Sequence, residues 1–313
     1  MLWTACCLAV LSVGAESGCE AGPAGIVDAS ATSTGATFTQ WQATSENFVV
    51  RNQHAGHDAR EVAAHCEAWR SKLQKYWCAS EQPAWSPKCE VVVHASGASY
   101  LAAVGAGASR TFGSSMIKFG KDKLGQQKQV ARRLIDFRGD SAYGLAAVPH
   151  EMTHVVIADL LEGRQPPRWA DEGMAILADS HEKQMLHERD LTQGLVARSA
   201  FRVQELLTLD AYPHASRIPA FYGQSASITA CLAKRDDPAK FVEFLRRSLD
   251  SGYDQALRDV YHLDNIAQLE RHWHAQRLAW NRGYHGVRLA LDERRQQGET
   301  DRTGVADFRR SAE

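Results

Sequence analysis

The 313-residue sequence has no apolar run of the ~20 residues needed to cross a bilayer, which argues against a transmembrane helix. It also lacks charge of a dominant sign: the formal net charge is -1, so no overall basic field exists to hold a nucleic acid or an anionic membrane. The basic residues from Lys118 to Lys128, with Arg132 and Arg133, read as a solvated face. No CxxC pair occurs among the seven cysteines, so a cysteine-based zinc site is not expected. Cys66, Cys78 and Cys89 do cluster, with Cys78 ending a helix and Cys89 opening a strand. A Cys78–Cys89 disulfide and buried free thiols are both open readings. No internal repeat is visible.

No lysine or arginine precedes the first apolar segment, MLWTACCLAVLSVGA. Its length nevertheless suits the core of a signal peptide, and Val13, Gly14 and Ala15 offer a small-residue cleavage site. Residues 1–22 are therefore read as an export signal, with an ordinary buried N-terminal segment as the lesser alternative, and the chain as exported to a bacterial periplasm, cell envelope or medium. Ser17-Gly18-Cys19 half-matches a lipoprotein box, with Glu16 where an aliphatic residue belongs. A lipid anchor at Cys19 is thus the secondary reading. Residues 23–40 are rich in Ala, Gly, Ser and Thr and read as a flexible leader, and residues 286–313 as a charged tail.

Between them lies one expected α+β domain, residues 41–285. In its α/β part, residues 41–146, NFVVRN and CEVVVHAS read as strands, and SSMIKFG and RRLIDFRG alternate as half-buried strands do. HDAREVAAHCEAWRSKLQKYW has apolar residues at helical spacing, and SYLAAVG is a short helix. From residue 147 to 285 the pattern is helical. AVPHEMTHVVIADLLEG is one helix, with Pro149 in its first turn, and WADEGMAILADSHEKQ is the next. FYGQSASITACLAKR, PAKFVEFLRRSLD, YDQALRDVY and IAQLERHWHAQRLAWNR follow. Trp69, Trp77, Trp85 and Trp273 read as core.

His150-Glu151-Met152-Thr153-His154 is an H-E-x-x-H sequence on a helix. Four residues is just over one turn, so both imidazoles leave one face and reach a single tetrahedral cation. Glu151 is rotated about 100° from His150 and flanks that cation, where it can take a proton from water. With 13 histidines in the chain, chance alone produces such a motif with a probability of roughly a few per cent. The alternative is two hydrogen-bonded histidines at a helix surface. His65, His94, His181, His187, His214, His262, His272 and His274 have no metal-ligand spacing.

A catalytic zinc site has three protein ligands and one open position. Leu160 stands where a third histidine would extend the motif as in metzincins, and Ile157 where they need glycine. Two acids on the following helix remain, Asp171 and Glu172. They project about 100° apart, so only one faces the metal. Asp179 could orient a ligand histidine, but a solvated acid at a helix end is the preferred reading.

The pair P-H-E-x-x-H (Pro149 to His154) and W-x-x-E-G-x-A (Trp169 to Ala175) resembles the gluzincin metallopeptidases, and most of all the bacterial peptidase MA-like domain. The resemblance spans roughly residues 45 to 280, and the two motifs carry it. It implies a zincin-like fold, with a small mixed sheet followed by a helical half and the active-site helix between them. It further implies one zinc ion held by His150, His154 and Glu172, with Glu151 as general base. An edge strand, SSMIKFG or RRLIDFRG, would line the cleft and pair with an extended peptide or protein substrate. Tyr222 is either the oxyanion donor such enzymes use or a residue that packs its helix start against the core, the two readings standing equal, with Tyr212 and His214 in a less rigid loop. The G-x-M-E-N segment of aminopeptidase N-like enzymes is absent, so aminopeptidase activity is not expected. Two alternatives stand beside a peptidase: a catalytically silent binding or assembly domain, and a zinc hydrolase of a non-peptide amide or ester.

Overall fold

Strand and helix alternate through the first half of the chain, and a change to uninterrupted helix follows residue 141. The description rests on a computed structural model that covers residues 2–5, 39–121 and 127–282. Val13 to Ala15, Cys19, most of the leader, part of the 118–128 basic run and the tail 286–313 lie outside the described residues.

Six strands form one mixed sheet: β1 (Leu2–Ala5), β2 (Gln42–Thr44), β3 (Phe48–Asn52), β4 (Cys89–His94), β5 (Gly113–Lys121) and β6 (Gln127–Arg138), in the order β1-β5-β6-β4-β3-β2. β3, β4 and β6 run parallel, and β2 and β5 are antiparallel additions on either side. Leu2–Ala5, inside the segment read as an export signal, pairs antiparallel with the outer side of β5. The alternating burial of β3 and β4 puts Val91 and Val93 in the core, where Ile117, Ile135 and Phe137 from β5 and β6 join them. Each such side chain contributes about 1.5–3 kcal/mol by leaving water.

Helix α1 (Ala59–Cys78) starts at Asp58, whose carboxylate accepts from the Arg60 N–H at 2.8 Å, and it packs on β2 and β3. The short α2 (Gly97–Val104) follows β4. Helix α3 (Ala142–Leu160) packs on β5, β6 and α1. Then come α4 (Arg168–Leu177), α5 (His181–Val196), α6 (Val203–Leu207), α7 (Ile218–Arg235), α8 (Pro238–Ser251), α9 (Tyr253–Tyr261) and α10 (Ile266–Arg282). No helix among the described residues is long and apolar enough to cross a membrane. Trp77 and Trp273 are fully buried, Trp85 is buried, and Trp69 is half-buried against the core. Cys66, Cys78, Cys89 and Cys231 are free thiols, so Cys78 and Cys89 are not bridged.

Three departures from the sequence reading matter here. Helix α3 begins at Ala142, because Ser141 accepts from the Tyr143 N–H and caps it there. The division at 146/147 therefore falls inside a helix, and Pro149 lies in the helix interior instead of its first turn. A proline there removes one backbone hydrogen bond. Second, the expected single helix WADEGMAILADSHEKQ is two. Helix α4 ends at Leu177 and Ser180 caps α5, accepting from the Lys183 N–H. Third, α6 and most of α5 had no strong apolar period to announce them.

Candidate metal centre

The site is built where α3, α4 and β5 meet. His150 and His154 are one turn apart on α3, with ring centroids 5.0 Å apart and both residues almost wholly buried. Each ring donates its Nδ1–H to a carboxylate: His150 to Asp179 at 3.0 Å and His154 to Asp171 at 2.7 Å. That fixes both tautomers and leaves Nε2 of each ring as the ligating atom. Glu172 comes from α4, with Oε2 3.7 Å from His150 Nε2. One ligand atom from each of His150, His154 and Glu172 lies within 4.8 Å of the other two. Donors around a tetrahedral ion at ~2.1 Å are roughly 3.4 Å apart, so this spacing suits one small cation.

The approach of α4 depends on a missing side chain. A Cβ on Gly173 would lie 2.2 Å from Thr229 Oγ1 and 2.6 Å from the Ser225 carbonyl oxygen, both on α7. Glycine at this position thus lets α4 and α7 touch. Trp169, fully buried at the start of α4, donates its Nε1–H to the Tyr253 hydroxyl at 3.1 Å and pins the helix from the other side. Both residues belong to the W-x-x-E-G pattern, and both serve the position of Glu172.

The electrostatics follow from burial and pairing. Burial opposes a charged His150, but Asp179 outweighs it and raises the imidazole to about 9. Positive charge is therefore favoured at this ring, whether a proton or a metal ion carries it. Burial also opposes charge on Glu172, yet the hydrogen bond from His150 and the two imidazoles hold its carboxyl well below the usual range. Asp179 is likewise held low against burial, by Lys183 and His150. Lys183 Nζ donates to it at 2.9 Å. Glu151 differs: burial pushes its carboxyl up, against the pull of the two histidines. The Ser115 hydroxyl on β5 donates to Glu151 Oε2 at 2.8 Å.

No model of a known protein family matches the chain, and no curated protein matches it. The local geometry is thus the basis for any reading of function.

Of the residues singled out in the sequence, His150, His154 and Glu172 converge, and Glu151 lies beside them. Asp171, the rival ligand, instead orients His154. Asp179 is buried and paired with His150, so it is not a solvated acid. The Tyr212 hydroxyl donates to Glu172 Oε1 from the segment between α6 and α7. Tyr222 is buried on α7, its ring 5.8 Å from His187 and 6.4 Å from Tyr212. His214 instead caps a short turn, its Nδ1 3.0 Å from the Ser216 hydroxyl. Ser115 was not foreseen. A serine in an alternating strand carries no signal until the strand is placed against α3.

Proposed function

We propose that the protein is a zinc-dependent metallopeptidase with a zincin-like fold of the gluzincin type. The observation that carries this reading is the paired set of carboxylates behind the histidines. Asp179 and Asp171 orient His150 and His154, while Glu172 and Glu151 flank the remaining nitrogens. A core stabilised by packing alone would not bury four acids and two histidines in this arrangement, because each buried charge is costly unless paired.

His150, His154 and Glu172 would hold the ion, which when bound supplies Lewis-acid polarisation of a carbonyl and acidifies water. Two nitrogens and a carboxylate oxygen with one position open are the donor set zinc takes in catalytic sites. Glu151 acts as general base. It takes a proton from water and passes that proton on to the departing amine nitrogen. Ser115 holds one Glu151 oxygen and so aims the other. The outer side of β5 pairs here with Leu2–Ala5, inside the segment read as an export signal; removal of that segment would offer the same backbone groups to an extended peptide, the mode in which a sheet edge binds chain irrespective of side chain. Export from the cytoplasm belongs to the same proposal and rests on the N-terminal sequence.

The test is a digest of a mixed peptide pool by purified protein, read by mass spectrometry. Cleavage that 1,10-phenanthroline abolishes and zinc restores is expected. A zinc-loaded protein that cleaves no peptide, yet hydrolyses simple acyl esters or amides, would replace the peptidase with a hydrolase of other substrates.

A further inference from the structure

A cavity of about 330 Å³ opens between α4, α5, α7 and α10. Its size lies within the range of small-ligand pockets, which begins near ~300 Å³. It contains none of the candidate metal ligands, although its α4 wall starts at Ile176, four residues past Glu172. The walls are largely apolar, with Leu177, Met185, Ala226, Ala230 and Trp273 among them. Ala226 and Ala230 are one turn apart on α7 and only half-buried, so the cavity exists because two small side chains leave room there.

Three charged residues line it: Glu188, Lys234 and Arg277. Two neutralise each other, because the Arg277 guanidinium donates to both Glu188 oxygens at 2.8 and 3.1 Å. Lys234 makes no ion pair or hydrogen bond with a described residue and is exposed where α7 meets solvent. Its ammonium stands at the cavity mouth, where an anionic group on a bound molecule can reach it. His187, also in the wall, is held to about 4 by burial and is neutral. The lining therefore carries one uncompensated positive charge at the edge of an apolar chamber.

We propose that this cavity binds a medium-chain alkanoate, with the hydrocarbon between α5, α7 and α10 and the carboxylate on Lys234. A polar body is disfavoured, since burying unpartnered polar groups against these walls costs free energy that an alkyl chain does not. A dianion is disfavoured because one cation faces it.

Calorimetric titration of the full chain with decanoate, and separately with decanol, tests the assignment. One saturable decanoate site per chain is expected. Lys234→Met removes the charge and keeps the apolar stem. It should weaken decanoate binding by about three- to tenfold and leave decanol unchanged. Ala230→Trp fills the chamber and should abolish binding of both, with circular dichroism reporting an intact fold. No saturable binding by the wild-type protein would overturn the proposal, as would equal decanoate affinity in Lys234→Met. Should Ala230→Trp not fold, the Lys234→Met comparison decides alone, because that position is exposed. None of these readouts depends on metal or turnover, so they stand apart from the peptidase reading.

Discussion

His150 Nδ1 and Asp179 Oδ2 lie 3.0 Å apart although 29 residues separate them in the chain. The contact exists because α4 stops at Leu177 and the chain turns before α5, which swings Asp179 back over α3. Carboxylates behind ligating histidines fix ring orientation and raise ligand basicity. Asp179→Asn should therefore weaken zinc binding by about 10- to 100-fold, measured by competition with a chromophoric chelator. His154→Ala and Glu172→Ala should weaken it further. Wild-type affinity in Asp179→Asn would mean that Asp179 serves the fold and not the metal.

Glu151 separates binding from turnover. Glu151→Gln keeps its size and can still bond to Ser115, but it is no base. Zinc content should stay near one per chain while peptide cleavage falls by ~10² to 10⁴. Cleavage at the wild-type rate would remove Glu151 from the mechanism even with the metal in place.

Two tyrosines compete for the role of oxyanion donor. The Tyr212 hydroxyl already reaches Glu172, whereas Tyr222 was favoured in the sequence because it opens a helix. Tyr212→Phe should lower kcat by roughly 10 to 10³ with KM little changed, and Tyr222→Phe should lower it less. The reverse order would place the donor on α7.

Gly173 offers a test of packing. Gly173→Ala forces a methyl group against Thr229 and the Ser225 backbone, and overpacking of this kind costs about 1–3 kcal/mol. Gly107→Ala is the control, since a Cβ there meets nothing within 4 Å. Denaturant unfolding of both variants should show a loss in the first and almost none in the second. An equal, small change in both would mean that α7 yields easily.

His187 predicts a pH dependence. Burial depresses its pKa to about 4 in the folded chain, against an ordinary 6.5. The unfolded chain then binds a proton between these values and the folded one does not. The stability associated with neutral His187 is complete above pH ~6.5 and is lost as pH falls through that window, on the order of 3 kcal/mol. His187→Leu should flatten the fall in urea midpoint between neutral and acid pH. Parallel curves for variant and wild type would show that other groups set the acid limb.

Two things about this protein were decided by the sequence. The 3.6-residue period places His150 and His154 on one face wherever α3 packs, and the three consecutive valines of CEVVVH favour a strand in almost any context. Local geometry suffices for both. The identity of the carboxylates around the imidazoles needed tertiary structure. Asp171 and Glu172 are neighbours of similar chemistry, and only the placement of α4 against α3 sends one to His154 Nδ1 and the other to the ligand group. Ser115, Asp179 and Tyr212 come from a strand, a turn and a loop. Their sequence separations from the site follow no period, so packing alone brings them together, the glycine contact between α4 and α7 included.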